Sequence, residues 1–110
     1  MNKKTYAAVK QVRDFIEQQN DTVKMEYANL VNRIEKDGFL IEPFGKKLKR
    51  DLFEIRIRKG GNVRVFYFYA ENDYVIGVYA FVKKSQNTPI QEIKKAEKTI
   101  SLIKRGDYNE

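Results

Sequence analysis

The sequence predicts an α+β domain: an N-terminal helical hairpin and a C-terminal helix packed on a small twisted antiparallel sheet. Three observations carry this. Apolar residues recur at spacings of three and four towards both ends of the chain. Between them, over residues 46–84, they alternate with a period of two or fill short runs bounded by turn residues. Basic residues crowd the first hairpin of that central stretch. Residues 46–64 hold eight basic and two acidic side chains, while residues 1–45 hold seven of each, so most of the net charge of +7 belongs to one hairpin. Charge concentrated in this way points to a polyanion, most often a nucleic acid.

The elements follow in order. Residues 1–5 are expected to fray. Residues 6–19 read as a helix, with Tyr6, Val9, Val12 and Ile16 on one stripe widened by Phe15. Asn20-Asp21 breaks it, and Asp21 is positioned to cap a second helix marked by Val23, Tyr27, Leu30 and Ile34. Gly38 ends that helix. Residues 39–45 form a loop whose Phe39, Leu40, Ile41 and Phe44 are apolar enough to anchor it on the core. The run at Lys46, Lys47, Lys49 and Arg50 reads as a loop or a strand lead-in.

The first strand covers about residues 52–58, with Phe53, Ile55 and Ile57 on one face and Glu54, Arg56 and Arg58 on the other. Gly60-Gly61-Asn62 supplies a hairpin turn. A second strand, residues 63–70, is apolar on both faces apart from Arg64, as expected of a central strand. A third, residues 74–82, is similar, with Gly77 where something packs closely. Thr88-Pro89-Ile90-Gln91 fits a capping box with proline at the first helical position. Ile90, Ile93, Ala96, Ile100 and Ile103 then mark an amphipathic helix, and residues 106–110 are expected to fray. The whole of residues 1–110 forms one domain.

Composition narrows the function. A chain of 110 residues buries about two-thirds of its unfolded surface. The chain has no cysteine, which removes disulfides, thiolate metal sites and a cysteine nucleophile. It has no histidine, which removes His-based triads, most zinc sites and two-histidine ribonuclease chemistry. No cofactor and no metal are expected. No apolar run approaches the roughly 20 residues of a membrane span, and no signal-peptide core is visible. A cytoplasmic protein without membrane contact is the expectation.

Arg56, Arg58 and Arg64 lie close across a short hairpin, and clustered arginines repel unless an anion sits between them. Glu54 would satisfy one in an ion pair; a phosphate would satisfy more than one. Lys83 and Lys84 leave the sheet beside them. Lys46, Lys47, Lys49 and Arg50 adjoin the hairpin and are placed to steer RNA or DNA. Tyr67, Tyr69 and Tyr79 are candidates for base stacking.

Taken together, L-F-E-I-R-I at residues 52–57, R-V-F-Y at 64–67 and F-V-K-K-S-Q-N-T-P-x-x-E-I-x-x-A at 81–96 resemble the HigB-type toxins of the RelE/ParE superfamily, including phage-derived members. The resemblance spans roughly residues 9–103. It implies a RelE-like fold and a toxin of a type II toxin–antitoxin pair that cuts mRNA, often on the ribosome. It implies as partners an antitoxin with a helix-turn-helix domain, mRNA and the ribosome. It places Glu54, Arg56 and Arg64 at active-site positions, with Lys83 and Lys84 as the basic residues after the last strand. The chain departs from the pattern in having Tyr79-Ala80 where a histidine-glycine pair is frequent. It also shows no N-terminal strand before Tyr6.

Metal-independent RNA cleavage requires a deprotonated 2′-OH, in-line attack and a protonated leaving oxygen. On this reading Arg56 and Arg64 clamp the scissile phosphate, Lys83 or Lys84 supplies the acid, and Glu54 is the base. Lys46, Lys47, Lys49, Arg50, Arg58 and Tyr79 bind RNA. Two other functions compete: a ParE-like gyrase inhibitor that cuts no RNA, and a phage RNA-binding protein without catalysis.

Overall fold

The computed structural model describes residues 3–87 and 89–110. The alternation and the turn residues of the central stretch produce the expected meander: β3 (Leu52–Ile57), β4 (Val63–Tyr69) and β5 (Tyr74–Val82), paired antiparallel. Asn72 and Asp73 take the left-handed conformation in the β4–β5 turn, which their short polar side chains tolerate. β4 is buried along nearly its whole length, as its continuous apolar run requires.

Two further strands correct the sequence reading. The lysine run is neither loop nor lead-in. It forms an edge strand, β2 (Gly45–Lys49), antiparallel to β3. Lysines on an exposed edge discourage pairing with other chains. The N-terminal strand also exists: β1 (Thr5–Ala8) lies parallel to β5, with Tyr6 opposite Val75 and Ala8 opposite Gly77. The sheet is therefore mixed, in the order β1-β5-β4-β3-β2. Helix α1 (Lys10–Glu17) starts only after β1, so the helix expected over residues 6–19 is a strand and a shorter helix.

Helix α2 (Asp21–Asp37) is capped by Asn20, whose side chain accepts from the Val23 N–H at 2.9 Å, and not by Asp21. Gly38 ends it in the left-handed conformation. In the following loop Leu40 and Phe44 pack on the core, whereas Phe39 and Ile41 are exposed. Helix α3 (Ile90–Arg105) has Pro89 as its N-cap and not as its first residue, so it starts one position later than expected, and Thr88 of the expected capping box lies outside the described residues.

The sheet has a core on each face. Ile55, Ile57, Val63, Val65 and Tyr67 pack with Val12 and Ile16 of α1 and with Val23, Leu30 and Ile34 of α2. Leu52, Phe66, Phe68 and Val78 pack on the other face with Ala96 and Ile100 of α3. Gly77 allows a close approach: a methyl group there would run into the hydroxyl of Tyr6. The C-terminal residues are docked where fraying was expected. Tyr108 packs against the first core, and the Glu110 carboxylate accepts from the Lys10 N–H at 2.8 Å and pairs with Arg13 at 2.9 Å. Among the described residues, no helix is long and apolar enough to cross a membrane.

Candidate nucleic-acid interface

Strand pairing lays out the site. Arg56 stands directly opposite Arg64, and Arg64 opposite Phe81. Two pairs along, Lys46, Glu54, Phe66 and Tyr79 form a second row on the same face. Both rows lie on the α3 face of the sheet, but of their residues the core beneath α3 takes in Phe66 and Phe81, with Tyr79 packed at its margin. Glu54, Arg56 and Arg64 lie outside that core.

Two arginines opposed across strands repel. Glu54 resolves this. It is 2 % exposed, and its Oε1 accepts from Arg56 Nε at 2.9 Å while its Oε2 stands 3.7 Å from Arg64 Nε. Arg56 is anchored further by Glu42 at 3.9 Å. Arg64 donates from Nη1 to the Val63 carbonyl at 3.3 Å. Among the described residues, its Nε is the buried side-chain polar atom that has no hydrogen-bond partner. Burial lowers the Arg64 pKa from the ordinary guanidinium value; Glu54 opposes the shift, and Arg56 and Arg58 add to it. The Arg64 Nε faces the Glu54 carboxylate, so the rest of the guanidinium is the part of Arg64 that can meet an anion.

An open cavity of about 550 Å³ receives that guanidinium. Arg58, Arg64, Lys83 and Lys84 line it with Asn62, Ser85 and Gln86, and no carboxylate is among its lining residues. Asn62 brings the two sources of charge together. Its backbone carbonyl accepts from the Lys83 N–H at 2.8 Å, and its side-chain amide donates to the Lys83 carbonyl at 3.1 Å. The β3–β4 turn and the end of β5 are thereby clasped. Asn62 was read from sequence only as a turn residue; its ability to bridge two strands needed the register.

A second cavity, about 570 Å³, shares Lys83, Lys84 and Ser85 with the first. Its other walls include Phe15, Tyr79, Phe81, Val82 and Glu92. Tyr79 is half-buried, with Lys95 Nζ 5.5 Å from its ring centroid. Gln11 closes one side, its amide bonded at 2.8 Å to both the N–H and the C=O of Ala80. Neither Gln11 nor Phe15 carries a sequence signal for a site, since both sit within a plain amphipathic stripe.

The structure thus brings Arg58, Arg64, Lys83 and Lys84 together and places Glu54 and Arg56 outside the residues lining the cavity. The lysine run does not join them. Lys46 stands beside Glu54, Lys47 lies on the opposite face over the Phe53 ring at 5.8 Å, and Lys49 pairs with Glu97 at 2.9 Å. Arg50 lines a separate pocket with Lys104 and Arg105. Tyr67 and Tyr69, offered as stacking rings, belong to the core on the α1–α2 face. Among the described residues, no group of three or more metal-binding side chains converges.

Comparison with known proteins agrees with this architecture. No curated protein sequence matches the chain. Among solved structures, a mutant of the E. coli toxin RelE in the free state superposes with a TM-score of 0.68, covering 90 % of this chain and 99 % of that one at 13 % identity. At that identity the likeness establishes a shared fold. The sequence pattern of the family described as phage derived protein Gp49-like (DUF891) matches residues 14–101, most of the chain and every element from α2 to the body of α3. This α+β protein, with a RelE-like fold and a cationic cavity at the end of its sheet, therefore belongs to the Gp49-like family of phage-derived proteins.

Proposed function

We propose that the protein is the toxin of a type II toxin–antitoxin pair, a HigB-like, metal-independent endoribonuclease that cuts mRNA during translation in the cytoplasm. Its partners are then mRNA, the ribosome and a neutralising antitoxin with a helix-turn-helix domain. The observation that carries the reading is the carboxylate-free cavity lined by Arg58, Arg64, Lys83 and Lys84, with Arg64 held from behind by Glu54. Four converging cations suit a pentacoordinate phosphorane better than a ground-state diester, because charge builds on the phosphoryl oxygens during attack. The fold shared with a protein described as a toxin adds support.

The geometry supports a different division of the expected roles. Arg64, Arg58 and the two lysines face the RNA. Arg56 is committed to Glu54 and Glu42, so it acts by holding Glu54 and, through it, Arg64. Glu54 does not line the cavity and is 2 % exposed, which suits a positioning group better than a general base. Lys83 or Lys84 supplies the proton to the leaving 5′-oxygen. Catalysis on this reading is mostly alignment and electrostatics, with the ribosome presenting the message.

Primer extension on a message translated in a purified system tests this. Wild type should create new in-frame 5′ ends. Arg64→Ala should lose them, with a fall of about 10²–10³ in rate, as for other single transition-state donors. Transcripts left intact with and without ribosomes would leave simple RNA binding or gyrase inhibition as the function.

A further inference from the structure

We infer that the second cavity is a nucleobase subsite, which seats a base flanking the phosphate held in the cationic cavity. The inference rests on the proposed RNA-binding function and adds the place where a base is gripped.

Three features single out this groove. First, it is continuous with the cationic cavity through Lys83, Lys84 and Ser85, so a phosphate and its own nucleoside can occupy both. Second, its chemistry is complementary to that of its neighbour. Phe15, Tyr79, Phe81 and Val82 give it apolar and aromatic walls, and Glu92 opposes a second phosphate there. Neutral rings stack on such walls, whereas phosphates prefer the carboxylate-free side.

Third, the groove exposes an open strand edge. β1 ends at Ala8, opposite Gly77. Beyond it, Ala80 turns its N–H and C=O away from β4, and the Gln11 amide occupies both at 2.8 Å. Alternation along the strand turns the N–H and C=O of Val82 the same way, and the Lys83 N–H returns to Asn62. No hydrogen bond among the described residues fills the Val82 position. Nucleobases carry adjacent donors and acceptors on their Watson–Crick edge, which match a backbone N–H and C=O pair. Gln11 is the protein's own occupant of the preceding position, and a base would continue that pairing.

The test compares two probes in equilibrium binding: a short RNA made uncleavable by 2′-O-methylation, and a backbone of the same length without bases. Wild type should bind the base-bearing strand at least about fivefold more tightly, the gain expected of one stacked base. Phe15→Leu and Val82→Gln should each bring this ratio towards one and leave affinity for the abasic backbone unchanged. The second variant alters an exposed side chain and guards against misfolding of the first. A wild-type ratio near one, or a ratio unchanged in both variants, overturns the subsite while the phosphate site stands. Failure of both probes to bind at low salt overturns the proposed RNA-binding function itself.

Discussion

Glu54 governs the site without lining its cavity. Its carboxylate lies between two arginines that the sheet forces opposite each other. Removing its charge leaves Arg56 and Arg64 in mutual repulsion, so Glu54→Gln should destabilise the protein by about 3 kcal/mol, near the low end for a broken buried pair because Arg56 keeps some access to water. Urea denaturation measures this, and a loss under about 1 kcal/mol would mean that the arginines separate without it. The same variant should also impair cleavage through Arg64. The closeness of the hairpin arginines to Lys83 and Lys84 was legible in the sequence, from hairpin register and strand ends, but Arg56 was expected in the cluster where the cavity has Arg58. The burial of Glu54 was not legible. Charge alternating with apolar residues normally marks a solvated face. Only the placement of β2 beside β3, with Lys46 opposite Glu54, shows this face to be enclosed.

At the level of elements, β1 was hidden for a physical reason. Tyr6 and Val9 continue the helical stripe of Val12 and Ile16, and four residues are too few to establish a period of their own. What makes the segment a strand is the open edge of β5, a tertiary partner that local propensity cannot report. The Tyr6–Gly77 contact tests that pairing. Gly77→Ala should cost about 1–3 kcal/mol by overpacking, and Tyr6→Phe should recover part of it by removing the hydroxyl that the new methyl meets. Equal costs in the two backgrounds would mean that the hydroxyl is not the obstacle.

The C-terminal residues act on α1 in a comparable way. Val9 offers no side-chain cap to that helix, and Glu110 supplies the missing acceptor. The hydrogen bond from Arg13, with help from the Lys10 N–H, holds the Glu110 carboxyl below its ordinary pKa. A depressed carboxyl contributes above its unfolded value and loses that contribution as pH falls through the folded one. The Tyr108 resonances should therefore shift towards free values only below the ordinary glutamate range, about 4.3, and Glu110→Gln should abolish the transition.

For the whole molecule, the sequence showed where the charge is concentrated but not how it divides. The hairpin's basic residues part between an edge strand, a core face and a cavity, as side-chain alternation along β2 and β3 dictates. Only the cavity cations should neutralise phosphates together. With four of them engaged, the slope of log affinity against log salt for single-stranded RNA should be about −3. Lys84→Ala should make it shallower by roughly 0.7, whereas Lys47→Ala should leave it unchanged; filter binding between low and physiological salt reads both. The parallel docking of β1 on β5 also sets an order of assembly. Gln11 and Ala80 are 69 residues apart along the chain, and a contact of that range forms late. A nascent chain arrested at Asp73 would already contain both arginines. It would lack the lysines, the strand that receives β1 and the Asn62–Lys83 clasp. The cationic cavity is thus incomplete while its own message is still being read, and on the proposed function the ribosome that makes the protein would be spared until the last strand has been made.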